Sequence, residues 1–243
     1  MSAIVLSLTR LAGRTGQGVR VAVVDSGIHL DHPHVGTVAG GVAFDAAGRR
    51  SADHADRLGH GTAVAAAIHE KAPDAALLAV RVFDRSLSTT GEALVAAIRW
   101  AADEHVRLIN LSLGTRNEER RPALADAVAY AAGRGTILVA AAPDAEHAWL
   151  PGGLAQVVAV RTDWDCPRDQ CLVDEWDGQR LTLRASGFPR PIPGVSPERN
   201  LRGQSFAVAN ATGLLALFLE GAAVSSSSDL ARVLIGSTSR KTL

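Results

Sequence analysis

Three residues of this chain have types and settings that could do chemistry together: Asp25, His60 and Ser205. Asp25 closes the apolar run VAVVD, His60 lies between two glycines in LGHGTAV, and Ser205 follows Gly203-Gln204 in RGQSFAVANATG. A serine hydroxyl becomes a good nucleophile when a base sits within about 3 Å and a carboxylate fixes the tautomer of that base. An Asp at a strand end, a His on the first turn of a helix and a Ser at a helix N-terminus can meet above a sheet. The helix end would add backbone N–H groups and a positive dipole end for an oxyanion. Taken singly, each has a plainer role, since Asp and Ser often cap helices and a lone His is often just a satisfied polar residue. The joint pattern points to nucleophilic catalysis.

The elements that must position these residues alternate along the chain. Short apolar runs at 19–24, 77–83, 108–113, 137–142 and 157–160 have the length and composition of strands buried on both faces, as parallel strands are. Helical patterns lie between them at 62–69, 91–104 and 122–132, and a nearly all-apolar helix is predicted over 205–220. This rhythm argues for one α/β domain over 1–243, with a mostly parallel sheet and helices on both faces. Residues 161–202 break the pattern with Pro, Gly and charges, which predicts a loop-rich or antiparallel excursion. Ligands of open α/β sheets sit at the carboxyl ends of strands. Asp25 and the segments after Leu113 and Ala142 share that end.

Composition excludes other classes. With 47% hydrophobic and 21% charged residues, the chain of 243 residues is neither disordered nor fibrous. Lys+Arg and Asp+Glu balance at 25 each, so no basic field announces nucleic acid. No apolar run approaches the roughly 18–20 residues of a membrane span, and the N-terminus lacks the marks of a signal peptide. Cys166 and Cys171 read as reduced thiols of a cytoplasmic protein, with a local disulfide as the alternative.

The motifs around the three residues resemble those of the subtilisin-like serine peptidases. GQGVRVAVVDSGIHLDHP is similar to that family's Asp motif, GHGTAVAAAI to its His motif, INLSLGT to its substrate-binding strand and GQSFAVANATG to its nucleophile motif. The order Asp, His, Ser also agrees with the family. The resemblance implies a three-layer α/β fold and a serine endopeptidase in which Ser205 is the nucleophile, His60 the general base and Asp25 the orienting carboxylate. It implies that Ser112-Leu113-Gly114 and Leu87-Ser88-Thr89 flank an extended substrate, with Ala141, Ala142 and Pro143 beside the P1 pocket. It calls for no catalytic cofactor.

The departures are as informative as the matches. The family's VAAAGN reads here as Val139-Ala140-Ala141-Ala142-Pro143-Asp144, so Asp144 stands where an Asn would donate to the oxyanion. An ionised carboxylate accepts and cannot donate. Removing that donor costs about 10²–10³ in kcat, a magnitude known from subtilisin itself. A protonated Asp144 would donate, which would favour activity at acidic pH, and Pro143 predicts small or medium P1 residues. Gln204, Phe206 and Asn210 replace the family's Thr, Met and His. The segment before Val19 is too short for the folding-assisting prosegment of secreted relatives. These features predict a slow, selective peptidase acting on a specific peptide or protein, held in check or served by a regulatory or biosynthetic partner. The alternative is a pseudoprotease that binds peptides with little turnover.

Other readings are weaker on the residues. Pro33 and loop placement defeat helical ligand spacing among His29, Asp31, His32 and His34, so no metal is predicted there. Gly13, Gly16 and Gly18 precede a strand, the wrong side for a phosphate loop. The family often binds structural calcium, for which Asp163, Asp165, Asp169 and Asp174 are the available carboxylates; none is predicted as required.

Overall fold

The computed structural model describes residues 4–144 and 149–236. Ten strands, β1 (Val5–Ser7), β2 (Arg20–Asp25), β3 (Val38–Phe44), β4 (Arg50–Ser51), β5 (Ala76–Arg81), β6 (Leu108–Leu111), β7 (Ile137–Ala141), β8 (Val157–Thr162), β9 (Gln170–Trp176) and β10 (Leu181–Ala185), form one sheet. Their order is β1-β9-β10-β8-β7-β6-β2-β5-β3-β4. From β10 to β3 every neighbouring pair is parallel, whereas β1, β9 and β4 pair antiparallel at the edges.

Five helices cover the two faces. The helices α1 (His60–His69), α4 (Gln204–Leu219) and α5 (Ser227–Gly236) pack on one face, and α2 (Gly91–Asp103) and α3 (Arg121–Ala132) on the other. The strand period of two sorts the core between them. Val21 and Val23 face α1 and α4, while Ala22 and Val24 face α2 and α3. The same alternation carries Asp25 to the α1–α4 side. No face of α4 is left polar: it is buried from Phe206 through Leu217, so it is held by packing all round.

The three-layer α/β architecture is the one expected. The excursion at 161–202 resolves into an extended β8, an antiparallel β9 and then β10, which returns parallel to β8. β1, β3 and β4 were not foreseen. In β3 a glycine pair masks the pattern, and a Cβ on Gly41 would lie 2.5 Å from Ala79 O on the neighbouring strand. The strand expected to reach Leu113 stops at Leu111, so Ser112-Leu113-Gly114 stands beyond the ladder with its edge unpaired by sheet. No helix among the described residues is long and apolar enough to cross a membrane.

Candidate active site

Asp25, at the last position of β2, is fully buried. Its Oδ1 accepts from Ser26 N at 2.7 Å and pairs with His60 Nδ1 at 2.7 Å. Its Oδ2 is buried with no hydrogen-bond partner among the described residues. A lone carboxylate oxygen out of water is costly, and an imidazolium at His60 would relieve that cost. Asp25 thus fixes His60 with Nδ1 as donor and leaves Nε2 as the basic nitrogen.

Sequence dictates how closely these loops approach. His60 opens α1 after Gly59, whose backbone is left-handed at φ 79°. A Cβ on Gly61 would meet Gly27 O at 2.2 Å, so only glycine lets the His60 turn lie against the Asp25 loop. Ser26 Oγ accepts from Gly61 N at 2.8 Å, and Asp56 Oδ2 accepts from Thr62 N at 2.9 Å. Those two donors belong to the first turn of α1, where helical N–H groups lack partners in their own helix. Asp56 had not been singled out by sequence reasoning; its position before LGHGT was the available signal.

The His60 proton is held above its ordinary value of 6.5. Burial pushes the other way, but the Asp25 hydrogen bond, the Asp25 charge and the Asp56 charge together outweigh it. Asp56 itself lies below the usual carboxylate range: burial works against its ionised form, and donation from Thr62, Leu58 and Ser26 overcomes that.

Ser205 lies in the first turn of α4. Gly203, with φ 143°, is the residue at its N-cap, and no side chain caps the helix. The first-turn N–H of Ser205 therefore stays available to an incoming oxygen. Ser205 Oγ donates to Ser112 O at 3.3 Å, and no hydrogen bond joins it to His60. Catalytic hydrogen bonds often form only once substrate is bound. Behind it, Thr212 Oγ1 donates to Asn110 Oδ1 at 2.9 Å, and Asn110 Nδ2 donates to Ser112 Oγ at 2.9 Å, locking α4 to the end of β6.

His60 and Ser205 open onto one cavity of about 1200 Å³. Leu87, Ser88 and Thr89 line one wall, and Ser112, Leu113 and Gly114 another. Ala141, Ala142, Pro143 and Asp144 complete it on the β7 side. Phe83, Thr115, Trp149, Arg161, Thr162 and Gln204 also line the cavity and were not assigned from sequence. Trp149 gave no signal there, because only the fold returns it to the β7 loop. Its Nε1 donates to Asp144 Oδ2 at 3.1 Å, so that oxygen serves as an acceptor.

The motif departures have structural partners. Gln204 Oε1 accepts from Thr162 N at 3.2 Å and from its hydroxyl at 2.5 Å, while Nε2 donates to Val160 O, so this amide belongs to the end of β8. Phe206 packs its ring 5.9 Å from that of His60. Asn210 Nδ2 donates to Ser186 O and Phe188 O at 2.8 and 2.9 Å, pinning the loop after β10 to α4.

The sequence model described as the Subtilase family matches residues 16–161. Subtilisin Savinase of Lederbergia lenta is 31% identical over 223 residues, covering 87% of this chain and 77% of the relative. The chain belongs to the subtilase family.

Thermitase of Thermoactinomyces vulgaris is 38% identical to this subtilase over 141 residues, 54% of the chain and 49% of the relative. Subtilisin E of Bacillus subtilis is 30% identical over 222 residues, 87% of the chain and 56% of the relative. The match thus spans about half the length of these two relatives. The solved structure of a cold adapted subtilisin-like serine proteinase superposes with a TM-score of 0.69 at 25% identity, covering 93% of this chain and 82% of that one.

Two of the four carboxylates available for calcium, Asp163 and Asp174, are paired with arginines. Asp163 Oδ2 pairs with Arg184 at 3.1 Å and Asp174 with Arg161 at 2.6 Å. Among the described residues no group of three His, Cys, Asp or Glu side chains is placed to hold a metal. Cys166 and Cys171 are buried and free, and burial pushes their thiols up to about 11 and about 12.

Proposed function

We propose that this subtilase is a serine endopeptidase working through Asp25, His60 and Ser205 and an acyl-enzyme. The observation that carries the reading is the 2.7 Å His60–Asp25 contact on the wall of the cavity that also holds Ser205. A peptide laid against Ser112-Leu113-Gly114 would extend the sheet edge beyond β6 and bring its scissile carbonyl to Ser205. His60 Nε2 takes the Ser205 proton as Oγ attacks, and Asp25 stabilises the imidazolium that forms. The Ser205 N–H receives the oxyanion. His60 then protonates the leaving amine, and water attacks the acyl-enzyme by the same steps in reverse.

Pro143 and Asp144 make this peptidase slow and selective, with small or medium P1 residues and a specific peptide or protein substrate. A regulatory or biosynthetic partner protein and a cytoplasmic site of action belong to the same proposal, the latter supported by two free thiols. One observation favours the alternative of a peptide-binding pseudoprotease: the carboxylate of Asp144 lines the cavity where a donor is wanted. Fluorophosphonate labelling decides between them. Labelling of the wild type and none of Ser205→Ala, with cleavage of a peptide library, supports the peptidase; binding of peptides without labelling or cleavage supports the alternative.

A further inference from the structure

We propose that a second cavity, on the far side of His60, receives the leaving-group half of the substrate and selects a residue bearing a carboxylate. The inference rests on the peptidase reading and extends it to substrate class. This cavity, of about 390 Å³, lies against Gly59 and Thr62, the neighbours of His60 in the first turn of α1 and just before it. The acyl half of a substrate is taken up by the edge at Ser112-Leu113-Gly114 in the larger cavity. The second cavity adjoins the His60 turn and shares no lining residue with the larger one, so on this proposal it takes the chain beyond the scissile bond.

Its lining holds one fixed cation, Arg190, beside three histidines. Arg190, His29, His32 and His34 line it together with the apolar Ile192 and Leu201. His32 lies below its ordinary value, first through burial and then through His34, His29 and Arg190, so it presents a neutral ring with a donor. Arg190 donates to His34 O at 3.4 Å and makes no ion pair with a carboxylate among the described residues. Asp56 also lines the cavity, but its oxygens already accept from Ser26 Oγ, Leu58 N, Gly59 N and both donors of Thr62. Arg190 is thus left with its fork for a substrate carboxylate, the geometry in which guanidinium discriminates best. The histidines do not make a metal site, since no such group is placed for an ion among the described residues.

Two experiments test this. In the first, peptides with one fixed acyl half carry Glu or Gln at each of the first positions after the scissile bond. At one position Glu is expected to raise kcat/KM about tenfold over Gln. Arg190→Gln should erase that preference, so that the Glu and Gln peptides are cleaved with equal kcat/KM, while Arg190→Lys retains part of it. No preference, or one that survives Arg190→Gln, overturns the proposal. In the second, Ala-Glu-Ala amide and Ala-Gln-Ala amide are added to the Ser205→Ala protein and the histidine ring resonances are followed. Movement of the His32 and His34 signals with the Glu peptide alone supports the site. Equal movement with acetate shows a general anion site and overturns it. The second experiment needs no turnover, so a protein that cleaves nothing would sink the peptidase reading and still decide this one.

Discussion

Ser26 Oγ donates to Asp56 Oδ1 at 2.8 Å, and this hydrogen bond ties the loop of Asp25 to the loop of His60. Ser26 passes the connection on by accepting from Gly61 N, so the carboxylate, the helix start and the imidazole are set by one network. In the proposed reaction Asp56 would therefore act through His60, as a positioning residue.

Asp56→Asn should show this in the pH profile. His60 must be neutral to accept a proton, and its raised value places the acid limb of kcat/KM above 6.5. The Asp56 charge is one of the causes that raise it. Removing that charge should move the acid limb to lower pH, and loss of alignment should cut kcat/KM by about 10- to 100-fold. A limb that stays in place would leave Asp56 with a helix-capping role alone.

Asp144→Asn should speed the enzyme. The amide oxygen of Asn can accept from Trp149 Nε1 as Asp144 does now, and its NH₂ supplies a donor that an ionised carboxylate lacks. A second oxyanion donor beside the Ser205 N–H predicts a kcat gain at neutral pH of up to about 10²-fold. Single-turnover acylation rates for the two proteins check it. Equal acylation rates for the two proteins would sink this account of Asp144.

The site was more legible in the sequence than the sheet edges were. Asp25, His60 and Ser205 sit in short motifs where glycine, strand end and helix start are all local features. Ser112-Leu113-Gly114 follows a run of buried apolar residues, and its place on the cavity wall needs only the strand to end early. β3, β9 and β10 were obscured because glycines and charges interrupt their alternation, and long-range pairing supplies what local pattern does not. Trp149 and Arg190 could not be placed from sequence, since each reaches its cavity through a loop whose course depends on tertiary packing. His29, His32 and His34 were visible as a cluster, but whether they faced one another or a shared space required the fold.

Pro143→Gly should widen P1 acceptance. Pro143 lines the cavity beside Ala141 and Ala142, and its ring lies 3.8 Å from where a Cβ on Gly153 would sit. Replacing it with Gly removes bulk and restores an N–H. Library cleavage by the wild type is expected to favour small and medium P1 residues, and the variant should gain on Phe and Tyr by about tenfold. A wild-type profile already dominated by aromatic P1 residues would contradict this account of the pocket.

Lys71 should cost the fold stability at neutral pH. It lies at the end of α1 against Gly213 of α4, and burial drives its ammonium down to about 8 from 10.5, against the pull of Glu70. Below about pH 8 the folded and unfolded chains both hold the proton, so the folded state carries the full cost of an enclosed charge. Between about 8 and 10.5 the unfolded chain binds the proton that the native chain sheds, and stability rises with pH across that window. Lys71→Met removes the charge, keeps the volume and leaves Glu70 paired with Arg168. The variant should be more stable at pH 7 by about 1–3 kcal/mol, or about 2–4 °C in Tm per kcal/mol. Its advantage should shrink as pH rises from about 8 to 10.5. Thermal melts of both proteins across that range are the measurement, and a variant less stable at pH 7, or a constant difference, would show that Glu70 compensates the buried charge in full.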